Sequence, residues 1–362
     1  MEQGCKVRIA LVSIIKPFAG SGDGVTEYAY QLYRNMKRRH KVDLYYTIDS
    51  AAKNNVAGLV YTSMALNRKM KELAGKEYDI IHIVNHEIGY AAKTLRKMGT
   101  NAKIVTTVHD LLRFQKGYHK GLLQFAYSRL VADQMRQIPK YSDFVLFDSK
   151  QTEEAFYRIF PKAENSAVIT LGVSDQYIKE GKHAEKRSGF RVGYIGSFAF
   201  HKNVQFILRT AKEMRRVKDV EFYLYGSGIQ KDRLLSDIKE QGLNNVRMMG
   251  FADEARKIAI YDSFDVFFFP SLYEGFGLPI IEAQARGLPV IIYKQGRVPD
   301  EVRKYCLEAE TPEDAVRIIM NIKSGGRSKA HRKEAARYAR RFTWRATAVN
   351  TLNTYRHILN GG

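Results

Sequence analysis

Apolar runs of strand length alternate with segments of helical periodicity along the whole chain. In the first half, RIALVSII precedes a glycine-rich stretch and then EYAYQLYRNMKRR, in which Tyr28, Leu32 and Met36 recur at helical spacing. The second half repeats this order with FRVGYIGSF, NVQFILRTAKEMRR, VEFYLYGSG and DVFFFPS. Strands that alternate with helices are typical of parallel βα units. The pattern therefore predicts an α/β protein with two doubly wound parallel sheets.

The polar, charged segment 176–189 lacks periodicity and is predicted to be a linker between the two halves. With 362 residues, 45% of them apolar, the chain is long enough to build two hydrophobic cores. Residues 1–175 are therefore predicted to form the first domain and residues 190–343 the second.

The end of the chain, residues 330–359, is predicted to be helical, and residues 344–362 are expected to complete the first domain. The apolar residues of this segment fall on or near one face of such a helix and need a partner surface. They are Phe342, Trp344, Val349, Leu352, Tyr355 and Leu359.

Apolar runs such as IALVSII are too short to span a membrane. The first residues enter a strand directly, without the basic and apolar lead of a secretory signal. Cys5 and Cys306 lie far apart and have no metal-binding or disulfide spacing. These features predict a cytoplasmic protein.

The net charge is +21, divided almost evenly as +10 for residues 1–172 and +11 for the rest. Basic residues concentrate at 37–41, and from Ala315 onward eleven Lys and Arg face one acidic residue, Glu334. Such a balance indicates either an anionic partner, such as a phosphate group or an anionic lipid surface, or a solvated basic surface without a specific partner.

The densest chemical signal is PSLYEGFGLPIIEAQARGLPVI, Pro270 to Ile291. A buried strand there ends in a loop with two glycines, and a helix that begins near Pro279 follows. Such a loop presents backbone N–H groups and the positive end of a helix, which suits a diphosphate. Glu274 lies in the loop, and Glu282 is expected in the first turn of the helix. Ionised carboxylates accept hydrogen bonds from sugar or ribose hydroxyls, although as an isolated pair they are more typical of a loop and a capping acid.

The string EGFGLPIIE resembles the signature of retaining glycosyltransferases of family 4, also called glycosyl transferases group 1, in which two glutamates flank a GFGLP core. This resemblance implies the GT-B fold, two Rossmann-like domains that face each other across a cleft. It implies that Glu274 contacts the donor sugar and that Glu282 binds the nucleotide ribose. Backbone amides of Phe276, Gly277 and Leu278 would hold phosphate and sugar oxygens.

A second stretch, VGYIGSFAFHKNV, resembles the part of the family that neutralises the donor diphosphate. Lys202 matches the family's lysine, whereas Ser197 stands where an arginine is common. A single lysine lacks the bidentate fork of an arginine, so His201 and Arg297 are candidates to supply the missing contact.

Two further stretches in the first half resemble the family's site. In PFAGSGDGVTEYAYQL, Gly22 and Gly24 precede the first helix and are expected near the donor phosphates and the acceptor. In TTVHDL, His109 follows a strand and is expected near the donor sugar, where it acts by hydrogen bonding and electrostatics.

Glycine turns in the second half are expected to line the nucleoside pocket. They are Gly226 in YGSG, and Gly250 with Phe251, which resemble the segment that holds the base. No Asp-x-Asp motif occurs, so we expect neither a metal nor another cofactor besides the nucleotide-sugar substrate.

The sequence predicts an enzyme that moves a sugar from a nucleoside-diphosphate sugar to a glycan or lipid-linked acceptor, with possible peripheral contact to an anionic membrane. A sugar-nucleotide epimerase of the same architecture is an alternative. A basic nucleic-acid-binding protein is a third hypothesis, but it leaves the Glu274 loop unexplained, and no nucleic acid partner is expected.

Overall fold

The strands are short, nearly continuous apolar runs, as required where a parallel sheet is covered on both faces. A computed structural model describes residues 6–17, 24–48, 56–115, 122–178, 189–326 and 329–361. These residues divide into two units, one from residues 1–172 and 344–362 and the other from residues 173–343. Each unit contains a parallel sheet, which confirms the predicted α/β fold class.

The first unit has six described strands in the order β2-β1-β3-β4-β5-β6. Their bounds are β1 Arg8–Ile15, β2 Lys41–Ile48, β3 Ile80–Ile83, β4 Lys103–Val108, β5 Phe144–Phe147 and β6 Ser166–Val168. The helices are α1 Gly24–Met36, α2 Val56–Ala74, α3 Tyr90–Lys97, α4 Leu122–Tyr141 and α5 Lys150–Tyr157, with short 3-10 helices at His86–Ile88 and Leu112–Phe114.

Side chains of β3 alternate between the two faces of this sheet, as the period of two in a strand requires. Ile81 and Ile83 join the apolar cluster formed with α2 and α3. His82, between them, points to the opposite face and contacts Tyr355 of the C-terminal helix. The first sheet is thus covered on both sides, and one cover comes from the far end of the chain.

The second unit has six described strands in the order β12-β11-β10-β7-β8-β9. Their bounds are β7 Phe190–Ile195, β8 Val220–Tyr225, β9 Val246–Gly250, β10 Val266–Phe269, β11 Val290–Tyr293 and β12 Leu307–Ala309. The helices are α6 Asp175–Ile178, α7 Val204–Glu213, α8 Lys231–Glu240, α9 Glu254–Asp262, α10 Leu278–Ala285, α11 Asp300–Arg303, α12 Pro312–Lys323 and α13 Lys329–Ala339, with a 3-10 helix at Phe200–Lys202.

Aromatic side chains fill the centre of the second unit. Phe267, Phe268 and Phe269 of β10 are fully buried. Gly193 of β7 lies against Phe264, and a Cβ atom at this position would come within 2.1 Å of the Phe264 ring. The neighbouring strands can pair at this point because residue 193 has no side chain.

The C-terminal segment differs from its prediction in one respect. Instead of one helix over 330–359, α13 ends at Ala339 and a second helix, α14 (Trp344–Leu359), begins after a break. Val173 bridges to Thr343, and its N–H donates to the Phe342 carbonyl at 3.0 Å. This pairing replaces helical hydrogen bonds, so the break lies where the chain passes from one unit to the other.

The predicted linker also contains ordered structure at its start. Residues 176–178 belong to α6, and Tyr177 is buried against the Tyr261 ring. The division of the units falls between Gly172 and Val173, a few residues before the predicted position. Residues 179–188 lie outside the described residues.

The apolar face predicted for α14 is partly wrong. Val349 and Leu359 are exposed, whereas Thr347 and Thr351 are buried. The two threonine hydroxyls donate to backbone carbonyls, which allows them to occupy the buried face. Among the described residues, no helix is long and apolar enough to cross a membrane.

We predict that Tyr355→Phe destabilises the first unit by about 1–3 kcal/mol, because it leaves a buried nitrogen of His82 without its partner at 2.6 Å. Fluorescence of Trp344, the only tryptophan, reports unfolding of this unit in a urea titration. Tyr33→Phe on α1 is the matched control, since its hydroxyl has no hydrogen bond to any described residue. Equal midpoints for the two variants would contradict the prediction.

Candidate functional site

The loop after β10 carries the densest chemical signal and is fixed by hydrogen bonds to two other segments. The N–H of Leu272 donates to the carbonyl of His201 at 2.7 Å, and the N–H of Glu274 donates to the carbonyl of Arg297 at 2.9 Å. His201 and Arg297, the two candidates for the missing phosphate contact, therefore both contact this loop, and these contacts are made by their backbone carbonyls.

A left-handed glycine turns this loop into α10. Gly277 has a φ of 100°, which L-residues rarely adopt, and it is the residue before the helix. The Phe276 side chain is buried against Phe342 and fixes the turn. Among the described residues, the N–H groups of Phe276, Gly277 and Leu278 have no hydrogen-bond partner. Three successive unpaired amides at the start of a helix form a favourable site for an anion.

Lys202 and Glu274 form an ion pair. Lys202 ends the 3-10 helix that follows β7, and its Nζ lies 2.6 Å from Glu274 Oε1. Both side chains are largely buried, with 15% and 9% exposed. The Lys202 ammonium also lies over the Phe269 ring at 5.0 Å. The tertiary structure thus brings together the two charged residues that the sequence places in separate motifs.

Glu282 has different surroundings from those predicted. It is the fifth residue of α10 rather than a first-turn residue, so the helix dipole does little to stabilise it. Its carboxylate instead accepts hydrogen bonds from Lys257 Nζ at 3.0 Å and from the Tyr261 hydroxyl at 2.8 Å. Burial alone would lower the pKa of Lys257, but the Glu282 and Glu254 carboxylates outweigh it and raise that pKa.

Lys257 did not figure in the predicted site. Lys257 and Tyr261 lie four residues apart on α9, and side chains at this spacing share a face of a helix. A lysine and a tyrosine on one face of a helix, directly before the strand that leads to the Glu274 loop, are a sequence signal that could have identified Lys257.

Three loops converge at the carboxyl ends of β7, β8 and β9. The N–H of Gly226 donates to the carbonyl of Gly250 at 2.7 Å, and a Cβ on Gly226 would lie 1.9 Å from the Gly196 carbonyl oxygen. Only glycine permits this approach. Ser197 is exposed, and its carbonyl accepts a hydrogen bond from the buried Tyr194 hydroxyl at 2.8 Å.

Apolar side chains project from two of these loops into solvent. Phe251 is 68% exposed directly after Gly250, which has a φ of 75°, and Ile229 is 76% exposed directly after Gly228. Exposed aromatic and aliphatic groups beside a polar loop are suited to contact with a flat ring.

His109 lies in the first unit, directly after β4. Its ring nitrogens are both engaged by the protein, Nδ1 with Asp148 Oδ2 at 2.7 Å and Nε2 with the Val84 carbonyl at 2.8 Å. Asp148 directly follows β5, as His109 directly follows the neighbouring strand β4. An acidic residue immediately after a predicted strand is the sequence signal that could have identified Asp148. Of the two glycines predicted near the phosphates, Gly24 is the exposed first residue of α1, and Gly22 lies outside the described residues.

Two family profiles together match nearly the whole chain. The profile described as Glycosyl transferases group 1 matches residues 175–342, and the profile described as Glycosyltransferase Family 4 matches residues 22–177. The two matches meet near the division between the units.

Curated relatives of this chain are named glycosyltransferases, and solved structures share its fold. An O-antigen biosynthesis glycosyltransferase, WclY of Escherichia coli, is 23% identical over 90% of this chain and 93% of its own. The O-antigen chain mannosyltransferase B of Escherichia coli is 26% identical over 70% of each chain. Sucrose-phosphate synthase from Thermosynechococcus elongatus has a TM-score of 0.81 at 22% identity, covering 99% of this chain and 100% of its own. Anabaena HepE, solved with UDP and glucose, has a TM-score of 0.76 at 16% identity, covering 97% of this chain and 100% of its own.

We predict that Lys257→Met destabilises the second unit by about 3 kcal/mol, because it leaves the Glu282 carboxylate buried without its cation. The double variant Lys257→Met/Glu282→Gln should recover part of this loss. Lys294→Met is the matched control, since its pair with Glu310 is exposed and screened by water. Urea titrations followed by circular dichroism measure all three variants, and equal losses for Lys257→Met and Lys294→Met would refute the prediction.

Proposed function

Because the chain belongs to the group 1 glycosyltransferases of family 4, which have the GT-B fold, we propose that it transfers a sugar from a UDP-sugar or GDP-sugar to a hydroxyl group of a glycan or lipid-linked acceptor. We further propose that the anomeric configuration is retained, as the EGFGLPIIE motif implies.

The Lys202–Glu274 pair beside three unpaired amides is the observation that supports this proposal most directly. Glycosyl transfer requires one cation for the leaving diphosphate and one acceptor group for the hydroxyls of the sugar. An ammonium 2.6 Å from a carboxylate supplies both within a single small region.

In this proposal the negative charge that develops on the leaving diphosphate is stabilised by Lys202 and by the amides of Phe276, Gly277 and Leu278. These groups are preorganised by the loop hydrogen bonds and by the left-handed Gly277. Diphosphate binding then needs no metal ion, and Glu274 is released from Lys202 to accept hydrogen bonds from the donor sugar.

The nucleoside is proposed to lie between Glu282 and the loops that carry Gly226, Gly250 and Phe251. Glu282 retains acceptor capacity for ribose hydroxyls because a carboxylate has about four lone-pair sites. The similarity to HepE, which has been solved with UDP and glucose, supports a uridine nucleotide as the first one to test.

We predict that product forms from one member of a panel of UDP- and GDP-sugars. Glu274→Gln should lower kcat by about 100-fold or more, since an amide accepts hydrogen bonds from hydroxyls only at its oxygen, whereas a carboxylate accepts them at both oxygens. The panel is first screened by thermal shift, because a ligand that binds the folded state raises Tm. Glu310→Gln, an exposed carboxylate of the same unit, is the control and should keep wild-type turnover. Wild-type turnover by Glu274→Gln would remove the main support for this site.

The acceptor is proposed to be a glycan or lipid-linked sugar at an anionic membrane. The O-antigen enzymes among the relatives support a glycan acceptor. Lys37, Arg38 and Arg39 at the end of α1 are exposed and have no carboxylate partner among the described residues. Arg356 of α14 lies near them, since Arg356 and Arg39 both act on His40, whose pKa is lowered by burial and by these two charges.

We predict that the protein sediments with vesicles that contain anionic lipid at low salt and not with neutral vesicles. Replacing Lys37, Arg38 and Arg39 by alanine should weaken this binding by about 100-fold, at about one kcal/mol for each basic residue near the surface. Lys212→Ala/Arg215→Ala/Arg216→Ala, in the second unit, is the charge-matched control. Binding to random oligonucleotides without vesicle binding would favour the nucleic-acid alternative instead.

A further inference from the structure

Three of the buried histidines lie close together in the first unit, and their hydrogen bonds distinguish their protonation states. His82 contacts two hydroxyls, Tyr355 at Nδ1 and Thr107 at Nε2, at 2.6 and 2.7 Å. Hydroxyls donate as well as accept, so they satisfy a neutral ring. Burial lowers the pKa of His82 to about 3, and the ring is therefore uncharged.

His86 is neutral for a related reason. Its Nδ1 accepts a hydrogen bond from the backbone N–H of His109 at 3.3 Å, and a protonated nitrogen could not accept. Burial also lowers the pKa of His86. Neither His82 nor His86 therefore contributes a charge at neutral pH.

His109 differs because both of its partners are acceptors only when the Asp148 carboxyl is ionised, although burial raises the pKa of that carboxyl. The Asp148 carboxylate lies 2.7 Å from Nδ1, and the Val84 carbonyl oxygen lies 2.8 Å from Nε2. Both ring nitrogens must carry a proton to satisfy these bonds, and such a ring is an imidazolium. Burial alone would lower the pKa of His109, but the Asp148 carboxylate outweighs it, so the pKa is raised.

Burying the Asp148 carboxylate is energetically unfavourable, and packing does not account for its position. Its second oxygen, Oδ1, is buried and has no hydrogen-bond partner among the described residues. A buried ion pair is seldom more stabilising than apolar residues of the same size, and an unsatisfied oxygen adds a desolvation cost. A contribution to stability therefore does not account for this group, and it needs another explanation.

The pair also occupies the edge of the sheet where ligands bind in open α/β folds. His109 follows β4 and Asp148 follows β5, and these strands are neighbours. In such folds the ligand crevice lies just outside the carboxyl ends of the parallel strands.

We propose that Asp148 is a positioning residue for the transfer reaction, which holds His109 as a fixed imidazolium with both N–H groups committed to the protein. This inference rests on the proposed function and narrows the expected role of His109. The ring contributes positive charge at this edge of the first sheet, and it neither donates a hydrogen bond to the sugar nor transfers a proton.

The titratable and charged groups that face His109 come from every element around it. Tyr28 of α1 contacts the His109 ring edge-on at 5.0 Å, and burial raises its pKa, so it stays neutral. Among the described residues, the set is His82 of β3, His86 of the 3-10 helix, Tyr28, Asp110 and Asp148. Asp148 is the member of this set that bonds to the His109 ring.

The test is Asp148→Asn, which keeps the shape of the side chain and removes its charge. Nitrogen-15 NMR of the His109 ring should show two protonated nitrogens at pH 7 in the wild type and one in the variant. At pH 7, kcat should fall by at least about tenfold, since each unit of pKa changes the fraction of imidazolium about tenfold. Because the pKa of His109 is raised in the wild type, wild-type activity should be lost as the pH rises through that pKa. Asp148→Asn lowers the pKa of His109, so the variant should lose activity at a lower pH.

Two further variants separate positioning from folding. In a cycle with His109→Asn, the double variant should be no slower than the slower single variant, because Asp148 acts through His109. Glu153→Gln, a carboxylate on α5 outside the site, should keep the wild-type pH profile. Urea titrations followed by Trp344 fluorescence verify that each variant is folded.

The outcomes are distinguishable. A singly protonated His109 in the wild type, or wild-type kcat and pH profile in Asp148→Asn, overturns the inference. If no nucleotide sugar gives product with the wild type, the proposed function fails, and the NMR titration still decides whether Asp148 fixes the charge of His109.

Discussion

The central strands of both sheets are buried on both faces, and this single constraint determines where chemistry can occur. Strands such as β5 and β10 have no solvent-facing side and are accordingly apolar throughout. Polar groups with a function are therefore confined to the ends of strands. Since all strands of a sheet run parallel, their carboxyl ends meet at one edge of that sheet. His109 lies at this edge of the first sheet, and Gly196, Phe251 and Glu274 lie at the corresponding edge of the second.

Lys202 with Glu274, and His109 with Asp148, form ion pairs at these edges, and each pair joins two neighbouring strands of one sheet. Lys202 follows β7 and Glu274 follows β10, which lie side by side in the second sheet. Asp148 and His109 repeat the arrangement across β5 and β4 in the first sheet. A buried charge without such a partner would cost several kcal/mol, so the pairs keep the charged groups ordered before a substrate arrives. In the second unit, the amides of Phe276, Gly277 and Leu278 differ, because they have no hydrogen-bond partner among the described residues and are available to bind an anion.

The local pattern was sufficient to predict most of the elements and failed where tertiary contacts override it. Alternating apolar runs gave the two parallel sheets, because the periodicity of a buried strand or helix is encoded in neighbouring residues. The same reasoning extended one helix through residues 340–343, where pairing of Thr343 with Val173 interrupts it. It also expected Val349 on the buried face of α14, which is occupied instead by Thr351, whose hydroxyl bonds to the backbone.

The sequence by itself determined the fold class, the family and the loop from Glu274 to Glu282, since a motif is a contiguous string and a strand or helix is a local periodicity. The tertiary structure decided the partners of each charge. Lys202 and Glu274 are 72 positions apart, and nothing local to either predicts that they meet. Lys257 beside Glu282, and Asp148 beside His109, likewise follow only from which strands and helices become neighbours. Protonation depends on such partners and on burial, so the charge of His109 could be assigned only once the chain was folded.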